Sequence, residues 1–420
     1  MTYKIEDVFS PRSFPENTYI SRKLNEYETI DAKFKKALAM KGNLIFVVGA
    51  SKSGKTVLCH SAIPKDKIIN LSGSHIGTRK DFWDHIAEQI PLSYEVTISN
   101  SISSTDSTET SDGVTAGANV LGFNVGANIG SNNTTVNNSQ SQVTATNIRT
   151  EGQITRYLIE NSKVLVIDDF HYIAKDVQLY VARILKTELF NGLNAVIVSL
   201  PHRSDEAITL NSDLTGRTTT IAIPDWTCEE LKEIALKGFG LLGIEVTEEQ
   251  INLLARESIS SPQLMQDNCF ALAYMVSDYN KLNGVTNEMV KQAFFETASN
   301  YGHYNRLVEA IKRGPSRGSD RRKEYMVNNG SVDIYGLVLL ALKEDPPVTQ
   351  MSVDELKDRF RRILGVDVAV PNTSTLSAII NKIVAIVKEI MPDLDALEYK
   401  EKYLYILDPF LLFYMRWCGK

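Results

Sequence analysis

Residues 45–56 have the sequence Ile45-Phe46-Val47-Val48-Gly49-Ala50-Ser51-Lys52-Ser53-Gly54-Lys55-Thr56. An apolar, β-branched run is followed by a turn of the form G-x-x-x-x-G-K-T, and Val57, Leu58 and Cys59 continue as the buried side of a helix. A strand before this turn and a helix after it are the context that gives the pattern its meaning. In that context the backbone N–H groups can surround phosphate oxygens, and the helix N-terminus adds a favourable dipole. The pattern therefore predicts a phosphate-binding loop.

The residue types in this loop predict that its ligand is ATP, bound together with Mg²⁺. Lys55 would reach the β- and γ-phosphates, and the Thr56 hydroxyl would ligate the metal. The expected nucleotide contacts are Gly49, Ala50, Ser51, Lys52, Ser53, Gly54, Lys55, Thr56 and Val57.

A second apolar run, 164–167, ends in two acidic residues, Asp168 and Asp169. In parallel α/β sheets, ligands lie at the carboxyl edge of the strands. We expect Asp168 to bind Mg²⁺, mostly through water, and Asp169 to orient or deprotonate the attacking water. A solvated turn is the alternative, but the preceding run is too apolar for a surface strand.

Two polar residues near other strands are further candidates. Ser199 ends the buried strand 194–199 and could sense the γ-phosphate, with Arg203 as a charged alternative. Arg217 precedes the strand 218–223, and its planar cation suits transition-state charge on a neighbouring subunit's phosphate. A surface salt bridge is the alternative for Arg217.

The segment before the loop supplies candidates for the adenine side of the nucleotide. Its first part is extended, and apolar residues between Leu24 and Leu38 then recur at helical spacing. A helix directly ahead of the first strand often packs near the base, so we expect Tyr19, Ile20 and Arg22 there. Packing of the N-terminal arm is the open alternative.

Composition fits an intracellular globular protein of two or three domains. The chain has 420 residues, 43% of them hydrophobic, and a net charge of −6, which argues against a broadly basic surface for nucleic acid. The four cysteines form no C-x-x-C pair, so the sequence suggests neither a zinc site nor a disulfide framework. No signal peptide and no apolar run of spanning length is present. We expect a cytoplasmic protein without a membrane partner.

Residues 94–148 contain no Lys or Arg and are rich in Ser, Thr, Asn and Gly. Apolar residues nevertheless alternate on both sides of Leu121-Gly122, and a turn there pairs Val120 with Phe123. The alternation predicts a hairpin over 113–130 with one apolar face. An isolated hairpin is marginal in water, so this face should pack on the chain's own core or on another subunit.

From Pro224 onward the pattern is helical. Capping-box starts at Thr227 and Thr247, and the Ser261-Pro262 cap, predict a lid of four helices that follows the nucleotide core. The order of parts, from phosphate loop through acidic strand and Arg217 to the lid, resembles that of the AAA+/STAND ATPases. Initiator-like and archaeal-type members, which carry a C-terminal winged helix, are the closest.

This resemblance implies roles for three residues. An arginine before the last core strand often acts in trans in such proteins, and Arg217 matches it. Pro262 lies where the lid's small-residue and proline motif contacts nucleotide in STAND members, but the usual glycine is missing. Asp169 stands where many members have glutamate, a variant that is compatible with slow hydrolysis.

The last part of the chain matches a winged helix, with three helical patterns followed by two strands near 398–407. Its basic residues between 352 and 420 are balanced by equally many acidic ones, and its third helix offers only Lys382 and Lys388. DNA binding and protein contact are therefore both open for this domain. The basic linker at 312–323 is a better phosphate candidate, and a solvated charge run is its alternative.

The expected fold class is α/β: a P-loop parallel sheet core with a β-hairpin insertion, an α-helical lid and a C-terminal winged-helix domain. The expected boundaries are 1–44 for the N-terminal arm and helix, 45–224 for the ATPase core with its 94–148 insertion, 225–300 for the lid, 301–330 for the basic linker and 331–420 for the winged helix.

These features predict a switch ATPase that binds ATP and hydrolyses it slowly. It would couple its ATP or ADP state to assembly of a homo-oligomer or to a partner protein, a role that suits signalling or defence. Two other classes stay open: a DNA-associated loader or regulator anchored by the winged helix, and a nucleotide-binding scaffold without turnover. Salt-dependent DNA affinity would separate the switch from the DNA-associated class.

Overall fold

The structure is a computed structural model that describes residues 3–91, 95–97, 144–146, 151–200, 216–278, 284–315, 322–328, 330–365, 368–392 and 394–418. Its central element is a parallel sheet of five strands: β1 (Leu44–Gly49), β2 (Ile68–Ser72), β5 (Val164–Asp168), β6 (Asn194–Ser199) and β7 (Thr218–Ile223). Their order in the sheet is β2–β5–β6–β1–β7. The inner strands read as continuous apolar runs because helices cover both faces of a parallel sheet. The predicted α/β class is confirmed.

Helices close both faces of this sheet. On one face α2 (Ile30–Ala39) and α3 (Lys55–Ala62) bury Phe34 and Leu58. On the other face α4 (Arg79–Glu88), α5 (Glu151–Glu160) and α6 (Lys175–Phe190) bury Trp83, Leu158 and Leu185. One short helix that the sequence did not indicate, α1 (Ile5–Val8), lies in the N-terminal arm.

The 94–148 insertion is described only at its base. There β3 (Glu95–Thr97) pairs antiparallel with β4 (Thr144–Thr146). The predicted hairpin at 113–130 lies outside the described residues.

The lid consists of α7 (Cys228–Leu242), α8 (Glu248–Glu257), α9 (Pro262–Asp278) and α10 (Asn287–Ser299). Thr227 and Thr247 form the predicted capping boxes, with Glu230 and Gln250 at the third helical position. The long helix that follows the Ser261-Pro262 cap is α9, described to Asp278. A further helix, α11 (Tyr304–Arg313), and the short hairpin of β8 (Tyr325–Val327) and β9 (Gly330–Val332) lead to the last domain.

The C-terminal domain is a winged helix, as predicted. It contains α12 (Ile334–Lys343), β10 (Gln350–Ser352), α13 (Val353–Leu364), α14 (Thr373–Ile390), β11 (Leu397–Lys400), β12 (Tyr403–Ile406) and α15 (Pro409–Trp417). Its antiparallel sheet has the order β10–β12–β11, so the wing strands gain a third partner that the sequence did not indicate. Within the described residues, no helix combines the length and the apolar character that crossing a lipid bilayer requires.

Candidate nucleotide-binding site

The predicted phosphate loop connects the end of β1 with the start of α3 at the carboxyl edge of the sheet. Gly49 allows the close approach of the loop to the neighbouring strand, because a Cβ there would lie 2.9 Å from Ser53 Oγ and 3.0 Å from Ile223 Cβ. The loop is further held by Trp226, whose indole Nε1 donates to the Ser53 carbonyl at 2.9 Å. The backbone is thus arranged around the N-terminus of α3, where an anion is favoured.

Lys55 is the buried cation of this loop. Its Nζ donates to the carbonyl oxygens of Gly49 at 3.0 Å and Ala50 at 2.6 Å. Burial lowers the pKa of Lys55 to about 8, while the carboxylates of Asp168 and Asp169 raise it and so partly offset the burial. A buried cation with few charged partners favours an anionic ligand beside it.

Thr56 and Asp168 connect the loop to the acidic strand. Thr56 Oγ1 donates to Asp168 Oδ2 at 2.5 Å, and the backbone N–H of Asp169 donates to Asp168 Oδ1 at 2.9 Å. Burial raises the pKa of Asp168, and the hydrogen bond from Thr56 lowers it. A hydroxyl and a carboxylate are the hard oxygen ligands that Mg²⁺ takes, with water and phosphate oxygens completing its shell. Among the described residues, no group of three or more His, Cys, Asp or Glu side chains could hold a metal without such help.

Asp169 has a left-handed backbone, with φ 52° and ψ 40°, and precedes the 3₁₀ turn Phe170–Tyr172. Apart from glycine, asparagine and aspartate adopt this conformation most readily, and left-handed residues recur at functional sites. Asp169 and Asp168 both line a cavity of about 760 Å³ that contains the phosphate loop. The second acid of the pair therefore faces the same space as Lys55.

The cavity has walls from four parts of the chain, of which the phosphate loop with the end of β5 is the first. The N-terminal arm contributes residues 10–15 and 18–20, the lid contributes Pro262, Gln263 and Gln266, and the winged helix contributes Leu394, Asp395 and Asp408. Sequence reasoning placed Pro262 here and missed the two winged-helix acids. The only feature of the sequence that singles out either acid is the Asp408-Pro409 pair at a helix start. Such a pair does not by itself indicate a contact with a distant loop.

Asp408 is the most buried acid on this wall. Its Oδ1 accepts from the Phe410 N–H at 2.9 Å, and the Tyr304 hydroxyl donates to its Oδ2. Burial raises the pKa of Asp408, and the Lys52 ammonium on the phosphate loop opposes this rise. The winged helix therefore presents a carboxyl group to the loop that would carry the phosphates.

Tyr19 and Arg22 both line the cavity, but their polar groups bind the protein itself. The Tyr19 hydroxyl donates to Asp31 Oδ1 at 2.6 Å. Arg22 binds both carboxylate oxygens of Glu230 at 3.0 Å, and it donates to two backbone carbonyls at 2.9 Å. Arg22 therefore makes four hydrogen bonds within the chain, and its predicted contact with adenine stays a prediction.

Ser199 and Arg217 lie away from the cavity wall. Ser199 is 2% exposed at the end of β6, opposite Val48, and the residue after it, Leu200, lines the cavity instead. Arg217 lies at the opposite, amino edge of the sheet, where its carbonyl accepts from Leu44 N at 2.9 Å. Because β1 separates that edge from the phosphate loop by ~16 Å, Arg217 is remote from the site of its own chain.

No protein-family model matches this chain, and no curated protein matches it in sequence. Solved structures to which it is similar include Cdc6p from Pyrobaculum aerophilum, with 12% identity over 98% of this chain and 97% of that one and a TM-score of 0.45. The ORC1 protein of Aeropyrum pernix, solved in complex with DNA, has 12% identity, coverage of 98% and 96%, and a TM-score of 0.47. A Walker-type ATPase of Pyrococcus abyssi has 12% identity, coverage of 94% and 97%, and a TM-score of 0.48.

Proposed function

We propose that this protein binds ATP with Mg²⁺ and hydrolyses it slowly, and that the bound nucleotide sets the arrangement of its domains and its assembly with partners. One observation carries the proposal: the Thr56 hydroxyl donates to Asp168 at 2.5 Å, on the wall of the cavity that also contains Lys55. The cation, the hydroxyl and the strand-end acid that metal-dependent triphosphate chemistry needs are thus side by side. The cavity volume of about 760 Å³ is typical of a small-molecule site.

Each residue has a separate task in this proposal. The loop N–H groups and Lys55 hold the phosphates, and Thr56 with Asp168 would hold Mg²⁺, which supplies positive charge for the β- and γ-phosphate oxygens. Asp169 orients the attacking water or takes its proton. Ser199 stays a candidate sensor of the γ-phosphate in this proposal, acting through its neighbour Leu200 on the cavity wall.

Arg217 would act on the nucleotide of a second copy of the chain. Its guanidinium lies 4.9 Å from the ring centre of Phe190, and both side chains are exposed at the amino edge of the sheet. This position is remote from the chain's own phosphate loop, so a role in catalysis requires a neighbour. Homo-oligomer formation is therefore part of the proposal.

The DNA-associated alternative has less support from the winged helix. Three basic side chains of α13 have acidic partners: Lys357 with Asp354, Arg361 with Asp358, and Arg362 with Glu344. In the described part of the 312–323 linker, Lys312 pairs with Glu309 and Arg322 with Asp333. Because these charges are balanced locally, a protein partner is the better proposal for this domain.

The test compares Lys55→Ala with Asp169→Asn in the full-length protein, using calorimetry for ATP binding and phosphate release for turnover. Lys55→Ala should weaken ATP binding by ~3 kcal/mol, roughly 100-fold, because a charged hydrogen-bond donor is lost. Asp169→Asn should bind ATP normally and lose turnover by roughly 10²–10⁴-fold.

Two exposed residues provide matched controls, Lys65→Ala for the cation and Asp176→Asn for the acid. Equal ATP affinity in Lys55→Ala and Lys65→Ala would remove the proposed site. Turnover of Asp169→Asn at the wild-type rate would refute the role of that acid. ATP binding without any turnover in the wild type would assign the protein to the scaffold class.

A further inference from the structure

Apolar packing divides the described residues into two bodies. Val8 and Phe9 share one cluster with core residues between Trp226 and Met415, whereas the clusters on the two faces of the sheet take their members from Ile30 to Ile223. We call the first the lid body and the second the sheet body. The lid body thus contains the N-terminal arm, the lid and the winged helix.

The arm belongs to the lid body through close packing and hydrogen bonds. A Cβ on Gly238 would lie 2.2 Å from the Phe9 ring, so only glycine at this place in α7 admits that ring. Gln266 of α9 accepts from the Ser10 N–H at 3.2 Å and donates to the Thr18 hydroxyl at 2.7 Å. The arm is therefore fixed to the lid before the chain enters the sheet.

The lid and the winged helix are joined by a buried ion pair. Glu257 of α8 is 1% exposed and accepts from Arg416 of α15 at 2.8 and 3.0 Å. The indole of Trp417 donates to the same carboxylate at 3.0 Å. Separating the two domains would break this ion pair and the Trp417 hydrogen bond together. We therefore expect the lid and the winged helix to move together.

The chain passes between the two bodies at two places. At the first, Ile20 packs against the lid body and Leu24 against the sheet body. At the second, Ile223 belongs to the sheet body and Trp226 to the lid body. Both passages are only a few residues long, as hinges usually are.

Arg22 ties these two passages to each other. It lies on the first passage, and its guanidinium donates to the carbonyls of Pro224 and Asp225 on the second at 2.9 Å each. The same guanidinium binds Glu230 at the start of α7 and lies 4.4 Å from the ring centre of Trp226. The indole of Trp226 in turn donates to the Ser53 carbonyl of the phosphate loop.

We propose that the two passages together form a hinge, about which the lid body turns as one unit on the sheet body. Arg22 is the positioning residue that holds the two passages together as a clamp, and Trp226 couples the phosphate loop to this hinge. Nucleotide contact with the loop moves the Ser53 carbonyl, and Trp226 transmits that movement to the second passage. Because both bodies form walls of the cavity, turning about the hinge moves Asp408 relative to Lys52. The nucleotide dependence rests on the proposed function, whereas the hinge does not.

The first experiment measures distances between spin labels on exposed helix positions. Cysteines replace Glu160 in the sheet body, Lys291 in the lid and Lys382 in the winged helix, after Cys228 and Cys418 have been changed to serine. Between ADP and a non-hydrolysable ATP analogue, the 160–291 distance should shift and the 291–382 distance should not. A change in the 291–382 distance between the two nucleotide states would overturn the proposal. So would unchanged distances when the protein is shown to bind each nucleotide.

The second experiment tests the clamp without nucleotide. Arg22→Lys keeps the charge but lacks the planar fork that binds Glu230 and two carbonyls at once. It should broaden the distribution of 160–291 distances and leave 291–382 unchanged, while Arg156→Lys, on the exposed side of α5, should change neither. An unchanged 160–291 distribution in Arg22→Lys would refute the clamp.

Trp226→Phe provides a milder variant that keeps an aromatic ring under Arg22 while it removes the N–H donor and one of the two fused rings. It should keep a narrow 160–291 distribution without nucleotide and reduce the shift between the two nucleotide states. A full shift would refute the coupling through Trp226. Calorimetric titration with ADP and ATP is run first: absence of binding would remove the proposed function, and the Arg22→Lys measurement would still decide the hinge.

Discussion

The buried pair of Glu257 and Arg416 allows a quantitative prediction for Arg416→Met. The carboxylate is 1% exposed and the guanidinium side chain 10% exposed, so neither charge is well screened by water. Removing one partner of such a pair costs about 3–5 kcal/mol. Glu257 keeps the Trp417 indole at 3.0 Å and a partly exposed Arg256 at 3.5 Å, which favours the lower end of that range.

We expect Arg416→Met to lower the free energy of unfolding by ~3 kcal/mol, which for a unit of this size corresponds to a Tm decrease of roughly 6–12 °C. Thermal unfolding followed by circular dichroism measures the change. Lys291→Met is the control, because its pair with Glu288 spans 3.5 Å between exposed side chains and is worth less than ~0.5 kcal/mol.

The double variant Glu257→Met with Arg416→Met separates the ion pair from simple loss of packing. Two apolar side chains of similar volume should recover much of the lost stability, since replacing a whole buried pair is often neutral. If the double variant lost the sum of the two single losses, the two charges would not interact as the structure indicates. A loss in Arg416→Met no larger than that of Lys291→Met would refute the reasoning altogether.

Three further changes have definite expected outcomes. Arg217→Ala should lower ATP turnover per chain more strongly as protein concentration rises, and turnover independent of concentration in both proteins would remove the role in trans. Asp408→Asn should tighten ATP binding by about 1 kcal/mol, on the order of fivefold in Kd, because a carboxyl group beside the phosphate loop no longer repels phosphate. Calorimetry measures the affinity, and an equal or weaker affinity in the variant would contradict this prediction. Replacing Val120 and Phe123 with Asp should weaken nucleotide-dependent assembly, measured as particle size, with ATP affinity unchanged, whereas a collapse in thermal stability would indicate packing of the hairpin within its own chain.

The raised pKa of Asp408 predicts that the stability of the protein depends on pH. Burial raises the pKa of Asp408 in the folded state above its ordinary value, so the folded protein binds this proton more tightly than the unfolded chain does. Stability should therefore increase as the pH falls through the folded-state pKa towards the ordinary value. The free energy of unfolding should change less with pH in Asp408→Asn than in the wild type over this range. Unfolding curves at several pH values measure it, and the same pH dependence in both proteins would contradict the role of Asp408.

Short-range patterns were enough to predict much of this protein. The phosphate loop, the acidic strand ending at Asp168 and the capping boxes at Thr227 and Thr247 all depend on interactions within a few residues of the chain. The apolar runs of β1, β5 and β6 indicated a sheet covered on both faces, because only buried strands tolerate such runs. The fold class and the location of the candidate nucleotide-binding site followed from these local features.

The tertiary structure alone decided which distant groups meet. Arg22 binds Glu230 and the 224–225 backbone, more than 200 residues away, and its predicted contact with adenine stays a prediction. Asp408 reaches the cavity only because the winged helix packs on the lid, and Ser199 lies behind Leu200 because of its place at the end of β6. Such contacts depend on how whole elements pack, and the direction of a side chain relative to a distant segment leaves no periodic or compositional signal in the chain.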